Sequence, residues 1–353
     1  MIMAGGTGGH IFPALSVADV LRREGWNVVW LGSRGGMEAT LIPARGYTMA
    51  WIRFAAVRGR GWLRTPLLPL DLLIAFWQAA RAIFLHRPDV VLGMGGYVAF
   101  PGGMMASLLN RPLIIHEQNS VAGLANRVLA RLADRVLTGF PGAFGARVPA
   151  QWCGNPVRED IAAIAGPQAR FEARTGRLKL LVIGGSQGAR ALNTVVPDAL
   201  ALTPVAERPE VTHQGGAAHA DELRKRYSER GVDAEVIAFI DDMAHRYAAA
   251  DLVICRAGAS TIAELAAAGI ASVLVPYPHA VDDHQTANAR FLSERDAAVL
   301  IPQPALTPER LAALLHEFTR EKLLAMARAA RAAGKPDATG TVARVCRELV
   351  RAA

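Results

Sequence analysis

Lysine is absent from the first 160 residues of this 353-residue chain, where 16 arginines stand against 9 acids. The remaining residues set 23 basic against 22 acidic side chains, so nearly all of the net charge of +8 belongs to the first half. A half that basic is expected to meet an anionic partner, either a membrane surface or a nucleic acid. Cysteine is scarce too. Cys153, Cys255 and Cys346 are odd in number and far apart, which excludes a metal-ligand or redox spacing and points to free thiols in a reducing compartment. Long apolar runs are missing: the longest, PLLPLDLLIAFW (66–77), is broken by Pro69 and Asp71 and falls short of the about 20 residues that a membrane-spanning helix needs. The opening MIMAGG has no basic start or cleavage site, and no secretory leader is expected. Aromatic residues are 6% of the chain. They do not interleave with basic runs as in single-strand binders, and no nucleic-acid recognition motif occurs, so nucleic acid is not an expected partner.

What the chain does contain is a regular alternation. WNVVWLG (26–32), PDVVLG (88–93), RPLIIHE (111–117) and DRVLTG (134–139) read as buried strands in the first half. LKLLVIGG (178–185), AEVIAFI (234–240), ADLVICR (250–256), ASVLVP (271–276) and AAVLIP (297–302) do so in the second. Uniformly apolar strands separated by helical patterns indicate α/β architecture with parallel sheets covered on both faces. IMAGGTGGH and VIGGSQGAR each run from a strand through glycines into a helix. The expected fold is two doubly wound, Rossmann-like domains facing a cleft, the break falling near GNPVREDIAAIAGPQ (154–168).

The glycine loops match neither familiar nucleotide fingerprint. Gly6 and Gly8 begin G-x-G-x-x-G, but Ile11 holds its last position, and the next strand ends in Trp30-Leu31-Gly32 without an acid for a ribose. Neither loop carries the Lys-Ser or Lys-Thr of a triphosphate-binding loop. There remains a loop at which a diphosphate or sugar approaches backbone N–H groups at a helix start, or a tight turn with no ligand at all. Asp241-Asp242 and Asp282-Asp283 are adjacent pairs rather than Asp-x-Asp. Neighbouring side chains diverge on a strand and on a helix, so no metal is expected and no cofactor is called for.

Read in order, GGTGGHIFPAL, LGMGGYVAFPGG (92–103), HEQNSVAGLANR (116–127), GNPVR (154–158), GGSQGAR (184–190), FIDDM (239–243) and CRAGASTIAELAAAG (255–269) resemble the MurG family of bacterial glycosyltransferases over essentially residues 3 to 345. The resemblance implies a fold of glycosyltransferase B type. Its acceptor and membrane-associated domain spans 1–157, its UDP-sugar donor domain 158–336, and a C-terminal helix, 337–353, returns to the first domain. It implies an inverting transfer of N-acetylglucosamine from UDP-N-acetylglucosamine to the 4-hydroxyl of undecaprenyl-diphosphate-linked N-acetylmuramoyl-pentapeptide, in peptidoglycan synthesis. It also implies a peripheral position on the cytoplasmic face of the bacterial inner membrane, and membership of a cell-wall synthesis complex.

Carried over residue by residue, the pattern assigns donor contacts to Thr7, Gly8, Gly9, Asn119, Arg158 and Ser186. It gives Ile240 to the uracil, Ala259, Ser260, Thr261, Ile262, Ala263 and Glu264 to the nucleotide, and Gln285 to the sugar hydroxyls. DDHQT (282–286) departs from the family's commoner glutamine pair, with His284 in the first place. Two residues are candidate bases for the acceptor hydroxyl: His10, beyond the first glycine loop at the mouth of the expected cleft, and Glu117 of HEQN, which could instead support its loop. Thr261-Ile-Ala-Glu264 also reads as a capping box, in which the glutamate serves the helix start and no ligand. LRTPLLPLDLLIAFWQAAR (63–81), flanked by Arg58 and Arg60, fits either a helix lying at a lipid interface or an ordinary core helix. A lipid galactosyltransferase and a UDP-N-acetylglucosamine 2-epimerase share the general pattern and stay open at this point.

Overall fold

The computed structural model describes residues 1–54, 68–172, 174–185 and 188–352; Ser186, Arg58, Arg60 and Arg64 lie outside the described residues. The chain divides into two compact units, Met1–Arg158 with Asp337–Ala353, and Glu159–Pro336.

Seven parallel strands build the first unit: β1 (Ile2–Met3), β2 (Val29–Ser33), β3 (Thr48–Ile52), β4 (Val91–Gly93), β5 (Leu113–Glu117), β6 (Arg135–Thr138) and β7 (Gln151–Trp152). Their order is β3-β2-β1-β4-β5-β6-β7. The winding reverses between β1 and β4, and loops leaving the carboxyl ends of two such strands diverge and leave room for a ligand. One face of the sheet is covered by the helix Gly8–Arg23 and by the C-terminal helix Ala338–Ala352, whose Val342, Cys346 and Leu349 join Ile11, Ala14 and Val17 in the core. Arg347 of that helix pairs with Glu24 at 2.6 Å. Helix Leu68–His86 covers the other face through Ala75, Ala79, Ala82 and Ile83.

The second unit repeats the plan with six parallel strands: β8 (Lys179–Ile183), β9 (Glu210–Gln214), β10 (Glu235–Ile237), β11 (Leu252–Cys255), β12 (Ala271–Leu274) and β13 (Ala298–Leu300). Their order is β10-β9-β8-β11-β12-β13, so the reversal falls between β8 and β11. Here the glycine loop leads into helix Arg190–Leu202, and β11 leads into helix Ala259–Ala268. The far end of the latter helix is fixed by the buried guanidinium of Arg170, which donates to Ala268 O (2.6 Å) and Gly269 O (2.5 Å). A cation on the last carbonyls suits the negative end of the helix dipole. All three cysteines are free and buried.

Candidate active site

At the first switch point, Thr7 caps the helix in extended conformation and the helix begins at Gly8, so Gly8, Gly9 and His10 form its first turn. What comes close to the loop glycines belongs to the protein itself. The carboxylate of Glu38, fully buried, accepts from Gly6 N (3.1 Å), Ser33 N (3.1 Å) and Ser33 Oγ (3.0 Å). A Cβ on Gly5 would lie 2.6 Å from that carboxylate, and one on Gly96 would lie 2.2 Å from Gly5 O. The expectation of an anion approaching these amides is corrected for Gly6: its N–H is already committed to a negative charge, which repels a second one. No motif pointed to Glu38, because it acts across 32 residues.

Beside this loop runs a chain of three side chains. His10 Nδ1 lies 2.8 Å from Gln118 Oε1, Gln118 Nε2 lies 3.0 Å from His116 Nδ1, and His116 Nε2 lies 2.9 Å from Gly154 O. Burial holds His116 down to about 4, so it is neutral at physiological pH. Gly95 provides the space: it sits at φ +90°, and a Cβ there would meet His10 Nδ1 at 2.6 Å. His10 itself is half-buried.

Glu117, the other candidate base, is placed differently. It is 3% exposed, and its two oxygens accept from Asn119 N (2.9 Å), Asn119 Nδ2 (3.3 Å), Gly123 N (3.1 Å) and Asn126 Nδ2 (2.8 Å). Four donors occupy the carboxylate's acceptor sites. This geometry corrects the choice of Glu117 as a base: it organises the loop that presents Asn119.

At the second switch point a cavity of about 1090 Å³ opens beyond the carboxyl ends of β8 and β11. Gly184, Gly185 and Gly188 line it with Gly258, Thr261 and Gln285, so the second glycine loop and the start of helix Ala259–Ala268 share one space. Two helix N-termini open there, and Arg190 and Arg256 line the same wall. Among the described residues Arg256 donates to neutral acceptors, Val275 O, Pro276 O and Gln303 Oε1. Its charge is therefore not cancelled by a carboxylate among these partners, although burial lowers its pKa from the ordinary value. Such a wall suits a diphosphate. Arg190 and Arg256 stand inside GGSQGAR and CRAGASTIAELAAAG with no role assigned to them from the sequence, and Tyr277 and Gln303 lie outside those motifs.

Helix Ala259–Ala268 is capped by Gly258, with Thr261 in its first turn. Thr261 is thus not an N-cap, and the capping-box alternative for Glu264 falls. Glu264 lies one turn beyond Thr261 on the same face and accepts a hydrogen bond at 3.1 Å from the buried Tyr247 hydroxyl. Ala259 and Ile262 are buried, whereas Ser260 and Ala263 are half-buried. Ile240 is buried, 6% exposed, while its neighbour Phe239 is 51% exposed, which corrects the expectation of an Ile240 side chain open to the uracil. Gln285 accepts from Tyr277 N at 2.9 Å, and among the described residues no hydrogen-bond acceptor faces its amide N–H groups. Asp242 caps the helix Met243–Ala249 through His245 N (3.0 Å), and Asp283 accepts from Thr286 Oγ1 (2.7 Å). Arg158, half-buried, closes the first unit's main segment and does not line this cavity.

Two doubly wound parallel sheets, each with a furnished switch point, are the architecture of B-type glycosyltransferases. The chain belongs to glycosyltransferase family 28: residues 1–138 match the model of its N-terminal domain and residues 179–342 that of its C-terminal domain. It is 62% identical over 349 residues to a protein of Aromatoleum aromaticum (99% of this chain, 97% of the relative) and 59% identical over 350 residues to one of Nitrosospira multiformis (99% and 98%). Both are named UDP-N-acetylglucosamine--N-acetylmuramyl-(pentapeptide) pyrophosphoryl-undecaprenol N-acetylglucosamine transferase. Among solved structures, MurG of Acinetobacter baumannii is similar at a TM-score of 0.86 and 40% identity, with 99% of each chain covered.

Proposed function

We propose that this chain transfers N-acetylglucosamine from UDP-N-acetylglucosamine to the N-acetylmuramoyl-pentapeptide carried on undecaprenyl diphosphate, with inversion, in peptidoglycan synthesis. Identity of 59–62% with relatives of that name, over 99% of the chain, carries this reading. The acceptor's 4-hydroxyl oxygen forms the new bond to the anomeric carbon as the bond from that carbon to the β-phosphate oxygen of UDP breaks. The hydroxyl proton passes to Nε2 of His10. Two helix N-termini, Arg190 and Arg256 take up the charge that UDP gains, an electrostatic contribution that in many enzymes is the largest single one. Glu264 holds the ribose hydroxyls, and Gln285 donates to the sugar. Thr7, Gly8, Gly9, Asn119, Arg158 and Ser186 stay donor contacts in this proposal on the family pattern alone. A transfer assay with UDP-N-acetylglucosamine and a short-chain lipid acceptor is expected to yield a β-linked product; an α-linked product, or 2-epimerisation of the donor without transfer, removes the reading.

The same proposal places the first unit on an anionic membrane surface. No described helix is long and apolar enough to cross a membrane. Helix Leu68–His86, however, turns Leu70, Leu73, Ile74, Trp77 and Phe84 outward, with Trp77 66% exposed. That spacing is an apolar stripe on the side away from the core, interrupted by the exposed Arg81. Burying one such side chain is worth about 1.5–3 kcal/mol. The double substitution Leu73→Glu and Trp77→Glu is therefore expected to weaken co-sedimentation with phosphatidylglycerol vesicles by about 100-fold or more, with UDP binding unchanged. Vesicle binding equal to that of the unsubstituted chain removes this surface.

A further inference from the structure

The chain from His10 to Gly154 has a direction, because two of its contacts are to backbone carbonyls, which only accept. Gly154 O is a carbonyl, so His116 Nε2 must be the protonated nitrogen. His116 is neutral, so its Nδ1 is then an acceptor, and Gln118 must turn its amide nitrogen toward it. A second carbonyl confirms that orientation, since Gln118 Nε2 also lies 3.1 Å from His116 O. Gln118 Oε1 therefore faces His10, and the proton on the neutral ring of His10 belongs on Nδ1. The opposite orientation of the amide would set oxygen against oxygen at 3.1 Å and leave His116 Nε2 without a proton facing Gly154 O.

We infer that Gln118 and His116 are positioning residues that hold His10 in the Nδ1–H tautomer, so that the Nε2 lone pair is presented to the acceptor hydroxyl. The inference rests on the proposed role of His10 as base. Among the described residues no hydrogen-bond partner occupies His10 Nε2. Gln118 is 1% exposed and His116 fully buried, so water does not compete for either. The backbone of Gln118 is held as well: Asn155 Nδ2 donates to Gln118 O at 2.9 Å. A Cβ on Gly139 would lie 2.2 Å from Asn155 Oδ1, so glycine is what admits that side chain. Gly154 and Asn155 thus tie the orientation of the base to the segment that runs into Arg158, where the chain leaves the first unit. Because an amide rather than a carboxylate stands behind the ring, the arrangement selects a tautomer without adding a counter-charge to the imidazolium.

The test is nitrogen NMR of the full chain labelled with ¹⁵N-histidine, with the signals of His10 assigned by their loss in His10→Gln. The expected spectrum has His10 protonated on Nδ1 and His116 protonated on Nε2. Gln118→Met keeps the side-chain volume but removes all three side-chain polar contacts; it is expected to give mixed tautomers at His10 and to lower kcat about 10-fold or more, with KM for UDP-N-acetylglucosamine unchanged. His10 protonated on Nε2 in the unsubstituted chain overturns the inference whatever the kinetics, and this result needs no variant to fold. The expected tautomer together with unchanged kcat in Gln118→Met overturns the positioning role of Gln118, whereas unchanged kcat in His10→Ala overturns the role of His10 as base.

Discussion

His10→Ala is expected to lower kcat by about 100- to 10,000-fold, the range for a positioned general base, while UDP binding measured by calorimetry stays as it was. The acceptor hydroxyl is not acidic enough to be ionised at neutral pH, so its proton must leave as the new bond forms. Among the two residues the sequence offered, only His10 has an acceptor atom left for that proton. Glu117 has none, and its replacement by alanine is expected to disturb the loop 119–126 and lower thermal stability as well as turnover. The contrast is what makes the experiment decisive. His10 is half-buried and holds one side-chain partner, so its loss should leave the melting temperature nearly unchanged. A His10→Ala enzyme with full turnover removes the proposed base.

Glu264→Ala is expected to raise KM for UDP-N-acetylglucosamine by about 100-fold, and to abolish any preference for UDP over its 2′-deoxy analogue. Two hydroxyls donating to one carboxylate make charge-assisted hydrogen bonds, each worth about 1.5–3 kcal/mol, and a tenfold change in affinity is about 1.4 kcal/mol. The Tyr247 hydroxyl already holds Oε2 at 3.1 Å, which fixes the carboxylate before the ligand arrives. Tyr247→Phe is accordingly expected to raise KM only several-fold, because it loosens the carboxylate without removing it. Competition binding of UDP and 2′-deoxy-UDP to the three proteins checks this. A Glu264→Ala protein that still prefers UDP places the ribose elsewhere.

Much of this architecture was legible along the chain, and the exceptions share a cause. The apolar strands in both halves stood out because central parallel strands are buried on both faces and so read as continuous runs. β3, β7 and β9 did not. Residues of these strands such as Thr48, Gln151 and Glu210 are exposed, and an edge or partly covered strand loses the uniform apolar signal. The glycines of AGGTGGH were visible as a demand for close approach, but the approaching groups, Glu38 and the Gly95–Gly96 turn, lie far along the chain. In the second unit Thr261 and Gln285 were named from the pattern and do line the cavity; Arg190 and Arg256, which stand inside quoted motifs without an assigned role, and Gln303, outside any motif, complete it.

Local order, then, was written in the sequence: hydrophobic period fixes which segments are strands and helices, and glycine spacing fixes where the backbone must be bare. Family membership was readable as well, since the ordered motifs survive as strings. Strand order, the position of each switch point and the direction of the hydrogen bonds behind His10 were decided only in three dimensions. Each depends on contacts between residues tens to more than a hundred positions apart, and neither periodicity nor spacing carries information across such a distance.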